Sequence, residues 1–176
     1  MRQRFLVLAL ALGLLVFFPH AAWAQNAHGN HDPYLFLLGV PPLAGPDVAT
    51  APDGSTVTIT GTGSFKAGPD KTVSGTGSYT IADSGGNTLA SGTWTATRIL
   101  GFVDYGNGTP QGAPPSFHGG QALFAVSLSG IGDGVLIVEC LLGSPPAGKH
   151  EGLRLVLRNG LNFNKSTSGE TLFMTP

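Results

Sequence analysis

Between Ser55 and Ile81 the sequence alternates with a period of two, and it does so twice. In the first run Val57, Ile59, Gly61, Gly63 and Phe65 share one parity, while Thr56, Thr58, Thr60, Thr62 and Ser64 share the other. The second run sets Val73, Gly75, Gly77, Tyr79 and Ile81 against Thr72, Ser74, Thr76, Ser78 and Thr80. Such alternation makes a strand with one buried face; a helix would repeat at about 3.6 residues. The glycines sit on the apolar parity beside an aromatic residue. An inward Gly lets the strand coil sharply and lets another backbone approach, and a neighbouring ring can cover the bare spot. Glycines that cradle a phosphate would instead open a helix, and no helical pattern follows these.

The same reading extends down the chain. Ala90, Gly92, Trp94 and Ala96 share a face, which places Trp94 in the core. "ALFAVSLS" (122–129) and "LRLVLR" (153–158) alternate, "LNFN" (161–164) and "ETLFM" (170–174) are short runs, and "VLIVECLL" (135–142) is apolar on both parities. About eight antiparallel strands in sequence-neighbour order result. This predicts an all-β fold, with an up-and-down barrel favoured and a β-sandwich or jelly roll as the alternative.

Ahead of the strands, Arg2 and Arg4 precede an uncharged apolar run from Phe5 to Phe18, and Ala22-Trp23-Ala24 has the small-x-small form of a cleavage site. Residues 1–24 therefore read as a signal peptide, and the expected location is secreted or periplasmic. Residues 25–53 carry Pro33, Pro41, Pro42, Pro46 and Pro52, a composition that disfavours helix and central strand and predicts an extended arm. Its apolar island Tyr34–Val40 is expected to fold back over the second apolar face of "VLIVECLL". Residues 54–176 form the single β domain. Loss of Arg2 and Arg4 leaves 7 of the 9 basic residues against 10 acidic ones, a net of −3. No basic patch calls for nucleic acid, and no later stretch could span a membrane as a helix. The one cysteine, Cys140, cannot form an internal disulfide and reads as a small buried hydrophobe.

The connections alternate in kind. "DSGGN" (83–87), "GIGDG" (130–134) and "NG" (159–160) are tight turns. "KAGPDK" (66–71), "DYGNGTPQGAPPSFHGG" (104–120) and "GSPPAGKHEG" (143–152) are longer. Antiparallel neighbours place the longer set together at one end, where binding residues on a rigid scaffold are usually carried. The candidate ligand-binding residues are thus Asp104, Tyr105, His118, Lys149, His150 and Glu151. Glu139 is singled out as a carboxylate within an apolar strand, with its side chain expected to point outward. No nucleophile elbow, metal-ligand spacing or cofactor motif is present, so neither catalytic residues nor a metal or cofactor is expected. His28, His31 and Asp32 lie in the arm and read as incidental. The leading expectation is a non-catalytic secreted domain that binds a small molecule, glycan or protein through its long loops. The alternatives are a secreted barrel enzyme, an isomerase or hydrolase using His118, Tyr105, Glu139 or His150, and a structural surface protein. Self-association is compatible with each of these readings.

Overall fold

The computed structural model describes residues 33–176. The expected signal peptide, residues 1–24, and the cluster His28, His31 and Asp32 lie outside the described residues. Among the described residues eleven strands form: β1 (Tyr34–Leu38), β2 (Asp47–Thr50), β3 (Thr56–Lys66), β4 (Thr72–Ala82), β5 (Thr88–Asn107), β6 (Phe117–Leu128), β7 (Gly132–Cys140), β8 (Gly152–Leu157), β9 (Asn162–Phe163), β10 (Lys165–Ser168) and β11 (Thr171–Met174). Among the described residues, no helix is long and apolar enough to cross a membrane.

From β3 to β8 each strand pairs antiparallel with the next, as the alternation and the turns predict. The up-and-down barrel, however, is not what forms. β3 pairs with β4 along one edge and with both β1 and β2 along the other. β6 likewise takes β5 on one side and both β7 and β11 on the other. β1 lies between β3 and β11, strands from opposite ends of the chain, and β2 pairs outward to β10. The result is an antiparallel, cross-linked sheet whose branches pack in the manner of a sandwich or jelly roll. Sequence-neighbour order fails because short strands from both chain ends supply the remaining partners.

Two further expectations are corrected by β1. The Pro-rich region contains a central strand, because Pro33, Pro41, Pro42 and Pro46 flank β1 and β2 rather than interrupt them. The apolar island does not cover the outer face of β7 either. Tyr34, Phe36 and Leu38 enter the common core instead, fully buried. Val135 and Ile137 are left half-buried on the far side of β7, with Leu136 and Val138 buried on the near side.

The repeated glycines face this core. Gly61 pairs across strands with Gly77, and Gly63 with Gly75. The rings of Trp94 and Phe36 lie over them. With no side chain at Gly61, the Trp94 indole reaches past it and donates Nε1–H to the Thr60 carbonyl at 2.9 Å. On the opposite face Thr60 and Ser78 share a hydroxyl hydrogen bond of 2.8 Å. The core continues as an aromatic cluster in which Phe36 meets Phe124 (centroids 5.0 Å apart), Phe65 meets Phe102 (4.9 Å) and Phe102 meets Phe173 (5.2 Å). These edge and tilted contacts are the arrangements that ring quadrupoles favour.

β5 carries the rest of the architecture. Its register shifts at three places, between Ala96 and Arg98, Ile99 and Gly101, and Asp104 and Gly106. Each irregularity of this kind bends the strand and increases its twist. The last of them aims the side chains of the candidate site.

Candidate functional site

The segment expected to be a 17-residue loop is much shorter in the structure. β5 runs on to Asn107 and β6 begins at Phe117, with a single 3-10 turn (Thr109–Gln111) between them. Asp104, Tyr105 and His118 therefore stand on strands, not on a loop. Two polar clusters result, back to back across the sheet.

The first cluster is on the core face. His118 shares the parity of the buried Ala122, Phe124 and Val126 on β6. Its Nδ1 lies 3.3 Å from Asp104 Oδ1. Asp104 also accepts from the Tyr34 hydroxyl (Oδ2, 3.0 Å) and from the Gly106 backbone N–H (Oδ1, 2.8 Å). Gly106 sits at φ +93°, a conformation natural to glycine, and its N–H turns back onto the Asp104 carboxylate. Tyr34 makes an edge contact with the His118 ring, centroids 5.6 Å apart, and stacks on Phe65. The pair is only partly covered, with side-chain exposures of 16% for His118 and 31% for Asp104. It thus marks the point where the aromatic core meets solvent.

The second cluster is on the outer face and centres on Glu139, which points outward as expected yet is only 2% exposed. Four side chains cover it. Tyr105 donates its hydroxyl to Oε1 at 2.8 Å, and Gln121 donates Nε2–H to the same oxygen at 3.3 Å. Arg154 Nη2 lies 3.0 Å from Oε2, and Lys149 Nζ lies 3.3 Å from Oε1. A buried carboxylate is tolerated when it is paired and hydrogen-bonded in this way. The Tyr105 phenol is pushed well above its ordinary range by burial first, then by its bond to Glu139 and the Glu139 charge. It is held as a hydrogen-bond donor.

The remaining candidates separate from these clusters. Glu151 clamps β7 to β11: Oε2 accepts from the Leu141 N–H at 2.7 Å, and Oε1 lies 3.0 Å from the Thr171 N–H and 2.7 Å from its hydroxyl. The Thr171 hydroxyl is also 2.7 Å from the Glu139 carbonyl, yet it has one hydrogen to give. A proton on Glu151 would let both bonds form, in keeping with a carboxyl whose pKa burial pushes up. His150 is exposed and lines a cavity of about 300 Å³ with Arg154, Asn164, Lys165 and Ser166. Among the described residues, no three or more His, Cys, Asp or Glu side chains are placed to hold a metal ion.

Sequence reasoning missed Tyr34, Gln121 and Arg154. Gln121 and Arg154 had a usable signal, because each falls on the outward parity of its strand. Tyr34 had none, since its position depends on β1 inserting between β3 and β11.

Cys140 is buried, and its thiol is pushed up to about 12, chiefly by burial and further by the Glu151 charge. The thiolate is the reactive form. Native protein should therefore resist iodoacetamide at pH 8 and take up one equivalent only after unfolding, as read by intact mass. Rapid labelling of the folded chain would mean that Cys140 is accessible.

The chain matches no family model, no curated protein and no solved structure.

Proposed function

We propose that the protein is an acid–base catalyst of the hydrolase or isomerase kind, working at His118 and Asp104. The observation that supports this is the carboxylate on the imidazole's Nδ1 side, itself fixed by Tyr34 and the Gly106 N–H. An acidic partner on Nδ1 holds the ring in one tautomer and orientation, and it stabilises the imidazolium formed when Nε2 takes a proton. His118 Nε2 has no hydrogen-bond partner among the described residues and is the atom that would exchange a proton with substrate. The Glu139 cluster supports this site from behind, through Tyr105 on β5 and Gln121 on β6.

The test is turnover of a panel of aryl esters and lactones, together with α-proton exchange of simple ketones in deuterated water. Activity should appear in one class and fall by a factor of about 10² or more in His118→Gln and Asp104→Asn. An activity that both variants retain would remove the assignment. A second reading, ligand binding without turnover, is favoured by Glu139: both its oxygens are already occupied, which suits a fixed polar wall better than a reacting group. Binding preserved in His118→Gln, with no reaction in the parent, would select it.

A further inference from the structure

Away from the Glu139 cluster, no element among the described residues covers the outer face of β5 to β8. Its residues align in rows across the strands. Arg98 is opposite Ala125, Ala125 opposite Val135, and Val135 opposite Val156. The next row runs from Leu123 through Ile137 to Arg154. At the Val135 end these rows border an open groove of about 690 Å³, whose wall also includes Leu100, Asp133 and Arg158. Its floor is aliphatic, and Val156 at the β8 end of the row is 39% exposed. Arg98 and Arg158 flank that floor on the β5 and β8 sides, and neither is in an ion pair among the described residues.

A chain of this composition has little reason to leave aliphatic side chains along β7 facing water. The outward parity of Val135, Ile137 and Val156 is a burial pattern without a burying partner, and exposed apolar surface of this kind usually marks an interaction site. The two guanidiniums set the sign of that partner. They are planar donors suited to carboxylate, and Asp133 supplies the one negative charge in the lining. A second copy packed on this face about a two-fold axis would bring four guanidiniums to one seam, with two aspartates to answer them. A single anionic amphiphile meets no such conflict.

We propose that this groove binds a fatty-acid-like ligand, its aliphatic chain lying along Leu100, Ala125, Val135 and Val156 and its carboxylate held by Arg98 or Arg158 at an end of that row. The volume lies within the range of about 300–1,000 Å³ usual for small-molecule sites. The groove is separate from the His118–Asp104 pair, being on the opposite face of the sheet. It is also about 13 Å along β7 from the Glu139 cluster, at roughly 3.3 Å per residue.

The test uses the full chain and two probes that share a tail, decanoate and decyltrimethylammonium, titrated by calorimetry below their micellar concentrations. Decanoate should bind, and the cation should bind at least about tenfold more weakly, because the charge-assisted bonds are made only by the carboxylate. Arg98→Gln with Arg158→Gln should weaken decanoate by about tenfold or more and leave the cation unchanged. Val135→Asn should weaken both. These side chains are solvent-facing or half-exposed, and far-ultraviolet circular dichroism confirms that each variant is folded. Equal affinity for both head groups, or decanoate binding indifferent to the two arginines, overturns the proposal. So does sedimentation showing a dimer that Val135→Asn dissociates, which would give the face to a second copy. Capture by anionic vesicles without binding of free decanoate would assign it to a membrane surface instead.

Discussion

Gly77→Ala should destabilise the domain by about 3 kcal/mol, at the upper end of what overpacking usually costs. One methyl group is enough because it would meet backbone. A Cβ on Gly77 would overlap the Thr60 carbonyl and lie 2.6 Å from the Gly61 Cα, in a paired strand that cannot move aside without breaking its ladder. The control is Gly101→Ala. Gly101 lies in the same sheet, its backbone is not left-handed, and nothing stands within 4 Å of the position its Cβ would take. That variant should stay within about 0.5 kcal/mol of the parent. Urea unfolding of the two variants checks the contrast. Equal midpoints would mean that the Gly61–Gly77 pair is not closely packed.

Asp47→Asn should stabilise the protein at alkaline pH and flatten its dependence on pH. Asp47 is fully buried on β2, and neither carboxylate oxygen has a hydrogen-bond partner among the described residues. A Cβ on Gly169 would run into the Asp47 side chain, so the carboxyl is enclosed by backbone on that side. Burial above all, then the charges of Glu151 and Glu170, push its pKa from 3.8 to about 8. The unfolded chain releases this proton near its ordinary pKa, and the folded chain holds it until about pH 8. Between those values the folded state carries the extra proton, so stability falls as pH rises across the window and levels off above it. A tenfold difference in proton affinity between the folded and unfolded chain is worth about 1.4 kcal/mol, so the full change is at most about 6 kcal/mol. The parent should therefore melt at a higher temperature at pH 5 than at pH 9. Asp47→Asn should lose most of that difference, because an amide has no charge to desolvate. Glu151, whose pKa is raised in the same direction, retains the remainder. A variant with the parent's full slope would show that another group drives it.

The strands from Thr56 to Leu157 could be read directly because their signal is local. Alternation marks which face is buried, and the short turns between them bring each strand back beside its predecessor. The inward placement of Gly61, Gly63, Gly75 and Gly77 follows from parity on a single strand, whereas on β7, apolar on both parities, the outward aim of Glu139 is decided by the tertiary structure. Nothing local, by contrast, says which strand an edge will take as its partner. β1 has five residues and β11 has four, and their antiparallel pairing joins Leu35 to Met174 across almost the whole described chain. That pairing placed Tyr34 against Asp104 and His118 and turned a supposed arm into a central strand, so it is also what separates the observed sheet from an up-and-down barrel. The polar clusters depended on the tertiary structure in the same way. Asp104 and Tyr105 are neighbours in sequence and alternate to opposite faces of β5, but that one meets Tyr34 and His118 and the other Glu139 is decided by strands distant in the chain. Parity gives the direction of a side chain relative to its own strand; what it meets there is set by the bulges that bend the strand and by the distant strands that close against it.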